Sequence, residues 1–174
     1  MKILRILFVF FALTASLFAI DNYAVVNSQE VIFTSKAYDS FNKQMEKYKT
    51  EYEKQISKTQ DELKALEKEL VEKRNEFSPK EFEKRKVDFE KRVEKFRNDV
   101  QGTQQKFEQV AQETSKAIAD NAKKIIQDLV KEKKVEVIFE AMGLLIYPDD
   151  KNLTKEVIKR LDAKMPKVDV KKPF

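Results

Sequence analysis

Apolar residues recur through the middle of the chain at the spacing of long amphipathic helices. Phe41, Met45, Tyr48, Tyr52, Ile56, Leu63, Leu66 and Leu70 step mostly by four and three, the alternation of a coiled coil. Two successive steps of four, from Tyr48 to Tyr52 to Ile56, insert a stutter that locally unwinds a supercoil. A second run is more regular: Phe82, Phe89 and Phe96 lie seven apart, with Val93, Val100 and Phe107 as the companion row. Between the runs stands Phe77-Ser78-Pro79-Lys80-Glu81. Ser78 can cap a helix through its hydroxyl, Pro79 suits the first helical position, and Glu81 can reach back to the cap backbone. Proline also pushes the preceding residue out of helical geometry. One helix is therefore predicted to end near Glu76 and another to start at Pro79. A connection this short makes them antiparallel neighbours, a hairpin arm over 35–120 with its tip near 77–81.

The flanks carry a different pattern. Tyr23 to Asn27 is short, apolar and β-branched and reads as a strand. Ser28 is the expected cap of a short helical turn with Val31, Ile32 and Phe33 as its apolar residues, and Ser35 the expected start of the first long helix. The second long helix continues to about Lys134. Folding back at Ser78 sets Ser35 opposite about Asn121, so roughly 20 Å of helix runs past the first at 1.5 Å per residue. That end carries Ile118, Ile125, Ile126, Leu129 and Val130, and is expected to pack on the strands. Val135 to Glu140 alternates as a strand does. Gly143 marks a turn and Leu144 to Tyr147 a further strand, together a hairpin. Asn152 or Thr154 starts a last helix with Val157, Ile158 and Leu161 on its buried face. Pro166 to Phe174 is basic and proline-broken, and is expected to be a mobile tail. The class expected is α+β and mostly helical: a long coiled-coil arm on a small β-rich body made of 20–34 and 121–165.

Met1 to Ala19 has the layout of a secretory signal. Lys2 and Arg5 form its basic start, Ile6 to Leu13 is unbroken apolar sequence, and Ala19 precedes the expected cut. The alternative is a retained membrane anchor. The apolar stretch Ile6 to Ile20 falls short of the ~20 residues a spanning helix needs, which favours cleavage.

Composition narrows the chemistry. Charged residues make up 37% of the chain, and it has two glycines, no tryptophan, no cysteine and no histidine. That excludes thiol nucleophiles, thiolate metal sites, imidazole bases and disulfides. No glycine-rich phosphate loop or metal-ligand spacing is present, and the carboxylates alternate with lysines as a solvated helical face does. No catalytic residue, cofactor or metal is expected. The net charge of +5 includes Lys2 and Arg5 of the leader, and a mixed excess this small does not call for a nucleic-acid partner. Charge concentrates at the tip. From Lys73 to Arg97 there are ten basic and six acidic residues. Lys80, Lys84, Arg85, Lys86, Lys91 and Arg92 are candidates for contact with an anionic surface, against the plainer reading of a soluble helical face.

In order, a leader, Tyr23-Ala-Val-Val-Asn-Ser-Gln29, a charged helical hairpin, Val137-Ile-Phe-Glu140, Leu144-Leu-Ile-Tyr147 and Leu153-Thr-Lys-Glu-Val-Ile-Lys-Arg-Leu161 resemble the Skp/OmpH family of periplasmic chaperones. The resemblance spans nearly all of the expected mature chain and rests on the order of the pieces. It implies a homotrimer held by the β-rich body, with three arms around a cavity. It implies an ATP-independent periplasmic holdase that keeps unfolded outer-membrane proteins from aggregating, and binding to anionic lipid or lipopolysaccharide. Candidate client contacts are Met45, Tyr48, Tyr52, Phe82, Phe89 and Phe96. Their coiled-coil spacing also fits a plain seam between the two helices. Gly102 either lets the arm bend or is merely tolerated, at roughly 1 kcal/mol relative to alanine. The competing class is a membrane-anchored structural coiled-coil stalk or spacer, which needs neither a break at Ser78-Pro79 nor bracketing strands.

Overall fold

The computed structural model describes residues 22–174, so the expected leader lies outside the described residues. The chain runs β1 (Tyr23–Val26), α1 (Ser28–Thr34), α2 (Lys36–Glu72), α3 (Pro79–Lys133), β2 (Val137–Glu140) and α4 (Thr154–Lys164). It is mostly helical, with two long helices packed against each other and a small two-stranded sheet.

The sheet is parallel, with Tyr23 opposite Val137 and Val26 opposite Glu140. Parallel neighbours need a long crossover, and here the crossover is the whole arm. The expected hairpin of 135–140 with 144–147 does not form within the chain. Ala141–Gly143 instead makes a single 3-10 turn, and 144–147 leaves the sheet as irregular chain with a bend at Leu145. The other edge of β1 is taken by Asn152 and Leu153, whose backbone bridges to Val25 with Leu153 N–H on the Val25 carbonyl at 2.9 Å.

Local capping places the helices. Asn27, and not Ser28, caps α1, its side chain accepting from Glu30 N–H at 3.0 Å. The Ser28 N–H instead meets the Glu140 carboxylate at 3.1 Å. Ser35 caps α2 through Tyr38 N–H, and Ser78 caps α3 through Glu81 N–H, both at 3.3 Å. Before α4, the Asn152 side chain accepts from Thr154 N–H, and the Thr154 hydroxyl accepts from Asn27 N–H, each at 2.9 Å. Thr154 is thereby both buried and satisfied, tying the start of α4 to the end of β1.

α2 ends at Glu72, four residues before the expected Glu76, and Lys73 to Glu76 form turns. The reversal needs that length: Phe77 must reach α3, where its ring lies under the Arg85 guanidinium at 4.4 Å. α3 runs without interruption through Gly102 and ends in a Schellman turn. Lys134 takes the left-handed conformation (φ 53°), with its N–H on the Lys131 carbonyl and Val135 N–H on the Val130 carbonyl.

The core lies where α1, α4 and the roots of α2 and α3 meet the sheet. Val25, Val31, Ile118, Leu129, Val157 and Leu161 are fully buried there. Further out, α2 and α3 continue as an antiparallel pair whose apolar residues are half-buried, Leu63, Leu66, Phe82, Phe89 and Phe96 among them. Two thin helices can cover a single stripe but cannot enclose it.

The last nine residues correct the mobile-tail expectation. Val168, Val170 and Pro173 are buried, and the first two belong to the main core cluster. The alternation Val168-Asp169-Val170 buries every second side chain, which outweighs the flanking prolines and lysines.

Candidate functional site

Two regions bring the sequence-derived candidates together, the arm root and the tip. At the root, Met45 is buried in the body core. Tyr48 and Tyr52 are half-buried. The Tyr48 hydroxyl donates to the Val170 carbonyl at 3.2 Å, and the Tyr52 hydroxyl reaches the Asp99 carbonyl on α3 at 3.4 Å. The Tyr52 ring sits against Phe107 and Phe174, with centroids 6.0 and 5.1 Å away. Tyr48 and Tyr52 thus touch the C-terminal segment.

Gln44 sits one step before them. Its amide nitrogen donates to the Val168 carbonyl at 2.6 Å, and its amide oxygen accepts from Val170 N–H at 3.2 Å. Lys172 pairs with Glu51 at 2.9 Å and lies over the Phe174 ring at 4.1 Å. The hydrogen bond from Lys172 holds the Glu51 carboxyl below its ordinary value; partial burial opposes this, and the charges of Lys172, Lys47 and Lys54 add to it. Sequence reasoning missed Gln44, Glu51 and Phe174. Gln44 carries no signal of its own, but the valine alternation ending in an aromatic residue marks the tail as a packed segment.

Beyond Phe174 a cleft of about 650 Å³ opens between α2 and α3, lined by Ile56, Leu63, Leu66, Phe96 and Val100 among others. Its walls also carry Glu62, Asp99, Arg92, Lys95 and Lys106, so an apolar floor is framed by both signs of charge.

At the tip, Phe82 and Phe89 are half-buried in the seam. Arg74 lies over the Phe82 ring at 5.4 Å. Arg85 is engaged three ways: with Glu81 at 3.2 Å, with Glu69 across the hairpin at 3.9 Å, and with the Phe77 ring. Lys86 pairs with Glu90 at 3.8 Å. Lys80, Lys84, Lys91 and Arg92 are exposed and, among the described residues, have no carboxylate within ion-pair distance. Of the tip candidates, Arg85 ties the hairpin together, Lys86 pairs along its own helix, Arg92 borders the cleft, and Lys80, Lys84 and Lys91 face solvent.

Among the described residues no group of three carboxylates is placed to hold a metal ion, and no helix is long and apolar enough to cross a membrane.

The family model described as Outer membrane protein (OmpH-like) matches residues 22–161, from the strand β1 to the last helix. The chain belongs to this family. OmpH-like chaperones are periplasmic and non-enzymatic, and bind unfolded outer-membrane proteins. Among solved structures, the chain is similar to a candidate outer membrane chaperone (OmpH-like) from Caulobacter crescentus CB15. The identity is 14%, the match covers 85% of this chain and 88% of that one, and the TM-score is 0.79. Identity this low establishes a shared fold and nothing finer. No curated protein matches the chain. The match to the family stops before the tail, so Gln44's partners at Val168 and Val170 lie beyond the matched residues.

Proposed function

We propose that the chain is an ATP-independent holdase that keeps unfolded outer-membrane proteins soluble in the periplasm. The observation that carries this reading is an arm without a closed core. α2 and α3 extend tens of ångströms past the body, and their apolar stripe stays half-buried in a field of lysines and glutamates. Many weak apolar contacts can hold a client tightly in sum while each one exchanges. The charged faces oppose collapse of one arm onto another.

Assembly into a trimer is part of the proposal. The support is an apolar surface on the body: Leu145 and Ile146 are 97% and 87% exposed, and Met142 is 64% exposed. Contiguous exposed apolar residues of this kind mark an interaction surface. The irregular 144–147 segment that follows β2 lies outside the sheet, so its backbone groups are open to a neighbouring copy. The solvent-facing tip lysines, Lys80, Lys84 and Lys91, are the proposed contacts with anionic lipid or lipopolysaccharide. The client contacts proposed on the arm are Tyr52, Phe82, Phe89 and Phe96, with Tyr48 at the root; Met45 would act only by supporting the root from within.

The test is the native mass of the chain without its leader, repeated after dilution of a denatured outer-membrane barrel protein into it. A trimer that carries one unfolded client in a soluble complex supports the proposal. A monomer or dimer beside an aggregated client overturns it and leaves a structural coiled-coil role.

A further inference from the structure

The C-terminal segment is held as an added strand would be, but by side chains. Gln44 supplies both hydrogen bonds that a neighbouring strand would give to residues 168 and 170, and Tyr48 supplies another to the Val170 carbonyl. These contacts read backbone and are indifferent to sequence. Val168 and Val170 point into the core while Asp169 between them is exposed. At the far end the Phe174 ring rests against Tyr52 and Phe107. The groove does not stop there, because Phe174 itself forms one end of the cleft that continues between α2 and α3.

We infer that this groove, from Gln44 to Phe96, is a binding site for extended polypeptide with apolar side chains at alternate positions and an aromatic ring beyond them, and that residues 168–174 are its resident, displaceable occupant. The inference rests on the holdase reading for the source of the incoming segment. Strands of an unfolded barrel alternate apolar and polar residues and carry aromatic residues near their ends, which is the chemistry the groove already accommodates. A tethered tail has an effective concentration of order millimolar, so a single short peptide competes poorly against it. An unfolded client offers many such segments at once and displaces the tail without any one of them binding tightly.

The chain contains no tryptophan, so Phe174→Trp provides a single reporter in the full protein. The probe is a tryptophan-free variant of an unfolded outer-membrane barrel protein, with its solubility followed by light scattering in the same samples. Before client, the emission is expected to be that of a sheltered ring; as client binds, it shifts to the value of a solvated one. Val170→Ser, which changes the tail and leaves the groove itself intact, is expected to lower the client concentration at the midpoint of the shift several-fold, by loosening the tail. Emission that is already solvated without client overturns the inference, as does emission that stays sheltered while the client remains soluble.

Client that aggregates regardless refutes the holdase reading instead. The groove is then decided by the nonapeptide 166–174 added at millimolar concentration: a red shift retains it as a peptide site, and no shift overturns it. A dye on Lys172→Cys, in a chain without other cysteines, repeats the measurement if tryptophan disturbs the aromatic pocket.

Discussion

Arg160 on α4 donates from both terminal guanidinium nitrogens to the two carboxylate oxygens of Glu132 near the end of α3, each at 2.8 Å. Its third nitrogen, Nε, donates to Glu156 one turn earlier, also at 2.8 Å. The bidentate geometry fixes the angle between the closing helix and the end of the arm's long helix.

The clamp makes stability pH-dependent in a definite direction. The hydrogen bonds from Arg160 lower both glutamates from their ordinary value of 4.5, partial burial opposes this, and Arg160 itself is raised. A carboxylate depressed in the folded state binds fewer protons there than when unfolded. Its contribution is therefore complete above about pH 5 and is lost as pH falls through the folded value. Arg160→Ala is expected to lower the melting temperature at pH 7 and to flatten its fall between about pH 5 and pH 3. Thermal melts across that range check it; parallel curves for the variant and the parent chain would show that the clamp is not the titrating element.

Backbone conformation and residue type are mismatched at two places. Gly102 lies within α3, has no positive φ, and a β-carbon there meets nothing within 4 Å. Gly102→Ala is expected to raise stability by about 0.5–1 kcal/mol and to leave client protection unchanged. Lys134 holds the left-handed position where glycine is preferred, and Lys134→Gly is expected to stabilise by up to about 1 kcal/mol. Urea denaturation measures both. A loss of client protection in Gly102→Ala at unchanged fold would mean that the glycine serves as a bend.

Burial separates body from arm energetically. Ile118 and Leu129 are fully buried, so truncating either to alanine is expected to cost about 2–5 kcal/mol. Phe82 and Phe89 are half-buried in an open seam, and each truncation there is expected to cost about 1–2 kcal/mol. The double variant Phe82→Ala, Phe89→Ala should lower helical melting of the arm while the body core stays protected in hydrogen exchange. Both rings are also proposed client contacts, so client protection is expected to fall together with the melting; protection lost at unchanged melting would mean that they meet client without bracing the arm.

The tip separates two kinds of cation. Lys80, Lys84 and Lys91 changed together to glutamine are expected to weaken binding to vesicles containing anionic lipid several-fold and to flatten its dependence on salt. Arg85→Gln should act mainly on the hairpin, because its guanidinium is committed to Glu81, Glu69 and Phe77. Co-sedimentation across ionic strengths compares them, and binding that ignores both salt and the lysine changes would remove lipid contact from the proposed function.

The order of hydrophobic positions by itself determined the hairpin. Ser78-Pro79 must interrupt a helix, residues Phe41 to Leu70 and Phe82 to Phe107 each form one stripe, and two such stripes joined by a short turn have only each other to cover. Ser35 and Ser78 were legible as caps because a hydroxyl before a helical run has one local use. What is decided between distant residues was not legible. Leu144 to Tyr147 has strand composition, yet the 3-10 turn at 141–143 carries it away from β2; the free edge of β1 goes to Asn152 and Leu153, which the buried Thr154 hydroxyl fixes against Asn27. Asn27 caps α1 in place of Ser28, its side chain accepting from Glu30 N–H, while the Ser28 N–H meets Glu140 from the far end of the chain. The tail is the largest difference. Its charge and prolines describe a solvated segment in isolation, whereas Gln44 and the open root of the arm supply the backbone partners and apolar cover that alternate valines need. Local pattern sets which face of an element is apolar; only the assembled fold decides which distant segment covers it.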